Sequence, residues 1–186
     1  MIPNGGCRTS LVIGTMPAGA SAGTMLRKRK ERVENTLHVN GLVLPTLLTE
    51  LLNGGRWRHP GDDVLRDLMP WFESPLDFLT SSEQMRGESR SLTLFADDPT
   101  SSHLFREARG SISTAGVELP WLDAEQAVLI AVNRIPGDDV AMALDYRTDP
   151  ADPRVVASDF WTDPKQCSWR TVTPTFSQLV EILRLV

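Results

Sequence analysis

The residues of this chain with the clearest capacity for chemistry are carboxylates gathered around one short stretch: Asp138, Asp139 and Asp145, with Asp149 and Asp152 close behind. Clustered carboxylates can hold Mg²⁺ and support hydrolysis of a phosphate ester. Their spacing argues against one shared ion. Asp145 stands seven residues after Asp138, roughly 20 Å along an extended strand. Asp138 and Asp139 follow Gly137 in a turn, where Asp serves local hydrogen bonding. Nucleophilic catalysis needs Ser or Cys, a His and an orienting acid. His38, His59 and His103 fall in a leading segment, a loop and a polar turn. None belongs to a nucleophile elbow, an HExxH helix, a P-loop or a GxGxxG turn. Cys7 and Cys167 make neither a disulfide framework nor a zinc site. The expectation is a chain without catalytic residues, cofactor or metal; a small metal-dependent hydrolase using Asp138, Asp139 and Asp145 is the alternative.

These carboxylates sit among three predicted strands, Ala127 to Asn133, Asp139 to Arg147 and Pro153 to Phe160. In the middle one, Val140, Met142, Leu144 and Tyr146 alternate with Ala141, Ala143, Asp145 and Arg147, the period of a half-buried antiparallel strand. Asn133 to Gly137 and Asp149 to Pro153 supply the turns, since a ladder cannot run through their prolines. Asp123-x-x-Gln126 can cap one helical turn before the first strand. Cys167 to Thr173 reads as a further strand, with Cys167 a packing residue. Thr173-Pro174 starts a last helix, with Thr175-x-x-Gln178 as an alternative cap, and Phe176, Leu179, Val180 and Leu183 form its apolar stripe.

The GDDVAMALDYR strand, the following T-x-P-x-DPRVV turn, the lone Trp161 and the short amphipathic helix resemble the SUKH superfamily. That superfamily includes the fungal Smi/Knr cell-wall assembly regulators and many bacterial immunity proteins. The similarity covers Glu118 to Leu185 well and Leu44 to Gly110 loosely, and it does not reach the first forty residues. It rests on packing and turn residues. It implies helices, an antiparallel sheet and a closing helix, and for a bacterial member a protein that binds and blocks a toxin, often a nuclease.

Toward the N-terminus, Leu44, Leu47, Leu48, Leu51 and Leu52 repeat at helical spacing, with Pro45 in the first turn and Asn53-Gly54-Gly55 as the stop. Arg56-Trp57-Arg58 can stack a base, or can pack its ring on the core while the guanidinium groups reach water. Asp62 or Asp63 opens a second helix with Val64, Leu65, Leu68 and Met69 inward, and Trp71 and Phe72 follow as bulky anchors. Thr80-x-x-Glu83 and Ser81-x-x-Gln84 fit capping boxes. Ser91 to Phe95 alternates like a strand, and His103 to Arg109 reads as a short helix. The fold class expected is α+β: helices first, an antiparallel twisted sheet of about four to six strands, and a C-terminal helix. The folded domain is expected over residues 41–186.

Residues 1–40 carry six Lys/Arg against two Asp/Glu, a charge of +4, so the rest of the chain holds −9 of the net −5. Deleting residues 1–40 is expected to leave the fold intact. Leu11 to Ile13 is too short for a signal sequence, and no run approaches a membrane span. Cysteine use suits a reducing compartment, so a cytoplasmic location is expected. An acidic body disfavours direct nucleic-acid binding and suits a basic protein partner such as a toxin domain. Candidate partner-binding residues are Asp138, Asp139, Asp145, Glu118 and Asp123 for charge, with Trp161 and Trp169 as aromatic anchors. An intracellular regulatory scaffold is the neighbouring reading.

Overall fold

The computed structural model describes residues 36–110, 119–135, 141–163 and 165–186. Its centre is a five-stranded antiparallel sheet in the order β3-β6-β7-β8-β9, built from β3 (Leu76–Phe78), β6 (Ala127–Asn133), β7 (Ala141–Asp145), β8 (Arg154–Asp159) and β9 (Ser168–Thr173). Before it come β1 (His38–Val39), β2 (Leu42–Val43), α1 (Thr46–Asn53) and α2 (Asp62–Leu68). Between β3 and β6 lie α3 (Ser82–Asp97), α4 (Pro99–Phe105), β4 (Glu107–Ala108), β5 (Leu122–Asp123) and a 3₁₀ turn, Ala124–Gln126. Helix α5 (Phe176–Ile182) closes the chain. The protein is α+β, with helices before the sheet and one after it.

Both faces of the sheet are covered. On one, Trp57 stacks on Phe78 of β3 at 4.6 Å and leans on Phe176 of α5 at 5.6 Å between ring centroids. On the other, Trp169 of β9 donates its indole N–H to Phe105 O of α4, and Ser89 of α3 reaches β6. Strand β7 is therefore buried from end to end, not half-buried as its alternation predicts. Small Ala141 and Ala143 fill the face that a solvated strand would give to polar groups. The Ser89 hydroxyl lies in the core because it accepts the Leu129 N–H at 2.9 Å, where a bulge between Leu129 and Ala131 breaks the ladder.

Segment 91–95, expected as a strand, belongs to α3. Met85, Ser89 and Leu92 are its buried face, at i, i+4 and i+7; the serine masks an otherwise helical stripe. Ser81 caps it by accepting Gln84 N–H at 3.2 Å, as the capping box predicts. The short helix expected at His103 to Arg109 lies earlier, at Pro99–Phe105. There Asp98 caps by accepting Ser101 N–H, and Arg106 at φ 52° stops it. Thr175 caps α5 through Gln178 N–H at 3.2 Å.

The core also begins before residue 41. Val39 is fully buried and Leu37 packs against the core. Asn40 and Gly41, at φ 51° and 86°, form the two-residue turn between β1 and β2, the Asn-Gly pairing favoured in tight hairpins. Tyr146 donates its hydroxyl to Val43 O at 2.9 Å, and Arg86 donates to His38 O at 2.9 Å. Deletion of residues 1–40 should thus be destabilising, by at least about 1.5–3 kcal/mol for the lost burial of Val39. A chemical-denaturation midpoint unchanged by the truncation would show that this hairpin is dispensable.

Candidate partner-binding surface

The candidate residues named from the sequence fall into three groups. Glu118, Asp138 and Asp139 lie outside the described residues. Asp123, Asp145 and Trp169 are buried. Trp161 stands in the open, 42% exposed.

Asp145 is no part of an exposed acidic face. At the end of β7 its carboxylate has 0% exposure and is held by two guanidinium groups. Arg147 donates Nε to Oδ1 and Nη2 to Oδ2, both at 2.9 Å. Arg154, its cross-strand neighbour, donates Nε to Oδ2 at 2.8 Å, and Arg147 also reaches Trp121 O at 2.5 Å. Burial pushes the Asp145 carboxyl up, but the hydrogen bonds and charges of Arg147 and Arg154 outweigh it and hold the group below the usual carboxylate range. A carboxylate so committed is a poor metal ligand. Asp123 is buried as the cap of the 3₁₀ turn, accepting Glu125 N–H at 3.0 Å, and burial raises its pKa. Asp149 accepts Ala151 N–H, and Asp152 accepts Ser177 N–H at the start of α5. The first is the local bond that turn aspartates commonly make; the second ties the turn to the closing helix. Among the described residues no three His, Cys, Asp or Glu side chains gather as a metal group.

Trp169 is core. Trp161 is different, and its surroundings are built from the last residue of β8. Asp159 is buried and aims one oxygen at the loop: Oδ1 accepts Trp161 N–H at 3.2 Å and Thr162 N–H at 3.0 Å. Its other oxygen accepts Arg170 Nη1 at 2.9 Å from neighbouring β9. Burial raises the Asp159 carboxyl, and the Thr162 hydrogen bonds together with Arg170 bring it below its ordinary value. It therefore stays ionised at neutral pH. Arg170 in turn lies 4.6 Å over the ring of Trp71, a cation–π arrangement. One carboxylate thus braces an exposed indole on one side and a guanidinium stacked on a second indole on the other. A second turn follows, Lys165 N–H on Asp163 Oδ1 at 3.0 Å. Asp159 and Arg170 were not singled out in the sequence; an Asp two residues before a Trp, at a strand end, was the available signal.

Close by in sequence to Trp71, a groove of about 240 Å³ runs between α2 and β3, lined among others by Asp62, Arg66, Glu73 and Ser74. Asp62 and Asp77 share Arg134, and His59 Nε2 lies 3.3 Å from Asp62. Elsewhere Arg109 joins Asp97 and Glu125. Much of the acidity counted in the sequence is thus met by arginine within the fold. Among the described residues no helix is long and apolar enough to cross a membrane. Comparisons with protein-family models, curated proteins and solved structures return no match to this chain.

Proposed function

We propose that this chain is a non-catalytic protein-binding module and, following the SUKH resemblance of its C-terminal part, an immunity protein that neutralises a toxin by occluding it. The observation that carries the reading is Trp161. A large aromatic is held in solvent on a loop braced by a buried, ionised aspartate, beside a stacked arginine. Trp and Arg dominate the centres of protein interfaces, and isolated exposed indoles contribute little to folding. Acidity of the chain then serves encounter with a basic partner.

Two results follow. With the product of a neighbouring gene as binding partner, Trp161→Ala should weaken affinity by about 30-fold or more, the effect of losing one hot-spot side chain, while the unfolding midpoint stays where it was. Equal affinity of variant and parent would remove Trp161 from the interface and the main support from the proposal. Charge is tested separately. Association should slow steeply from low to physiological salt, with dissociation changing less, and Asp138→Asn with Asp139→Asn should slow it in the same direction. Salt-independent association would leave occlusion without its electrostatic component.

A further inference from the structure

The two edges of the sheet are unequal. Strand β3 has three residues. The Arg134 N–H donates to Pro75 O, and alternation in an antiparallel ladder then turns Leu76 outward. The outward carbonyl of Leu76 is already taken by Arg134 Nη2 at 3.0 Å, and Asp77 holds the same guanidinium at 2.7 Å. That edge is short and capped by a charge.

Strand β9 has six residues, roughly 20 Å of extended chain. Tyr146 N–H bonds Gln126 O. Carried across the register of β7, β8 and β9, the same alternation aims the N–H and C=O of Trp169 and Thr171 away from the sheet. No hydrogen bond meets these groups among the described residues. Arg170 and Thr171, consecutive and therefore on opposite faces, are both exposed, so the middle of the strand reaches solvent between buried Trp169 and Thr173. The usual guards are weak here. The strand contains no Pro or Lys, and its one charge, Arg170, is folded back onto Asp159 and Trp71. A bulge falls only toward the Thr173 end.

We propose that β9 accepts an added strand from a partner protein, an extended segment bearing a carboxylate opposite Arg170. This deepens the protein-binding reading and rests on it. Backbone groups of Trp169 and Thr171 supply the hydrogen bonds, the mode of strand addition. Arg170, whose side chain is 47% exposed and gives Nη1 to Asp159, keeps its other N–H donors for an acidic side chain on the same face. A second copy of this chain fits less well. Two-fold pairing through Trp169 and Thr171 sets Arg170 against the same residue of the other copy, and like charges directly opposite are unfavourable.

The experiment selects short random peptides displayed on phage against the full chain. Enriched sequences should alternate β-branched residues and carry an Asp or Glu. Thr171→Pro removes an outward N–H that the sheet does not use, so it should fold and should weaken these peptides at least about tenfold, the scale of a lost hydrogen bond plus a blocked edge. Arg170→Glu should turn the preference toward Lys or Arg. Should Thr171→Pro fail to fold, N-methylation of the selected peptide replaces it: methyl groups on alternate amides should abolish binding, and on the intervening amides should not. Peptides that bind Thr171→Pro as they bind the parent, or that show no alternation in N-methyl sensitivity, overturn the proposal. So does sedimentation of the parent as a dimer and of Thr171→Pro as a monomer, which assigns the edge to a second copy. If selection yields no strand-like peptide while Trp161→Ala still weakens the natural partner, the edge fails and the protein-binding function stands.

Discussion

Asp145→Ala is expected to destabilise the protein by about 3–5 kcal/mol, the effect of leaving buried guanidinium groups without their counter-charge. Arg147 and Arg154 both converge on this carboxylate from nearly buried positions, and neither can follow a small side chain. Asp145→Asn should come close to the same loss, because it keeps the volume and removes the charge. The pH dependence has a definite sign. The Asp145 pKa is lowered in the folded protein, so its contribution is present above the ordinary carboxyl value of about 3.9 and is lost as pH falls through the lowered folded value. Asp159 acts in the same sense. Urea titrations from neutral pH into acid should show stability falling for the parent below about pH 4 and a shallower fall for Asp145→Asn. A loss below about 1 kcal/mol for Asp145→Ala at neutral pH would mean that water can replace the carboxylate.

Phe176→Ala is expected to cost about 3–5 kcal/mol, the range for emptying a buried aromatic site. Its ring has no exposure and meets Trp57, which is itself stacked on Phe78. The cavity would therefore open at the junction of α5, β3 and the loop after α1. In a denaturant titration the midpoint should fall with little change in slope. A shift under about 0.5 kcal/mol would show the closing helix to be peripheral.

The legible parts of the fold were those where one local signal had no competitor. The leucine stripe around Leu48 and Leu51 and the turn at Asp149 each leave a single choice of element, whereas the last helix offers two starts, Thr173-Pro174 and Thr175, of which the Thr175 cap forms. The misreadings share a cause in tertiary contact. Ser89 interrupts the apolar face of α3 because its partner is Leu129, forty residues on, so Ser91 to Phe95 looked like an alternating strand. Strand β7 carries polar Asp145 on the face expected to meet solvent, and only the arginines of a turn and of the next strand make that residue internal. The same cross-strand arginines hid the site. Composition counts every carboxylate as available, while the fold assigns Asp145 and Asp159 to arginine and leaves Trp161 as the exposed group. Trp161 and Trp169 part company because Trp169 lies within β9 and turns its indole to Phe105, whereas Trp161 lies on the loop before that strand.

The hydroxyl of Tyr146 closes on Val43, 103 residues earlier, and Trp57 waits for Phe176 to complete its pocket. A chain made from its N-terminus therefore cannot finish its first helical layer while that layer is being synthesised. Helix α1 and the hairpin before it must remain as loosely held apolar segments until the sheet and then α5 have emerged, because contacts so distant in sequence close late. During that interval the exposed surface is the leucine face of α1. In the cell, chaperone demand for this protein should accordingly be governed by its N-terminal leucines and by the rate at which its C-terminal strands are made.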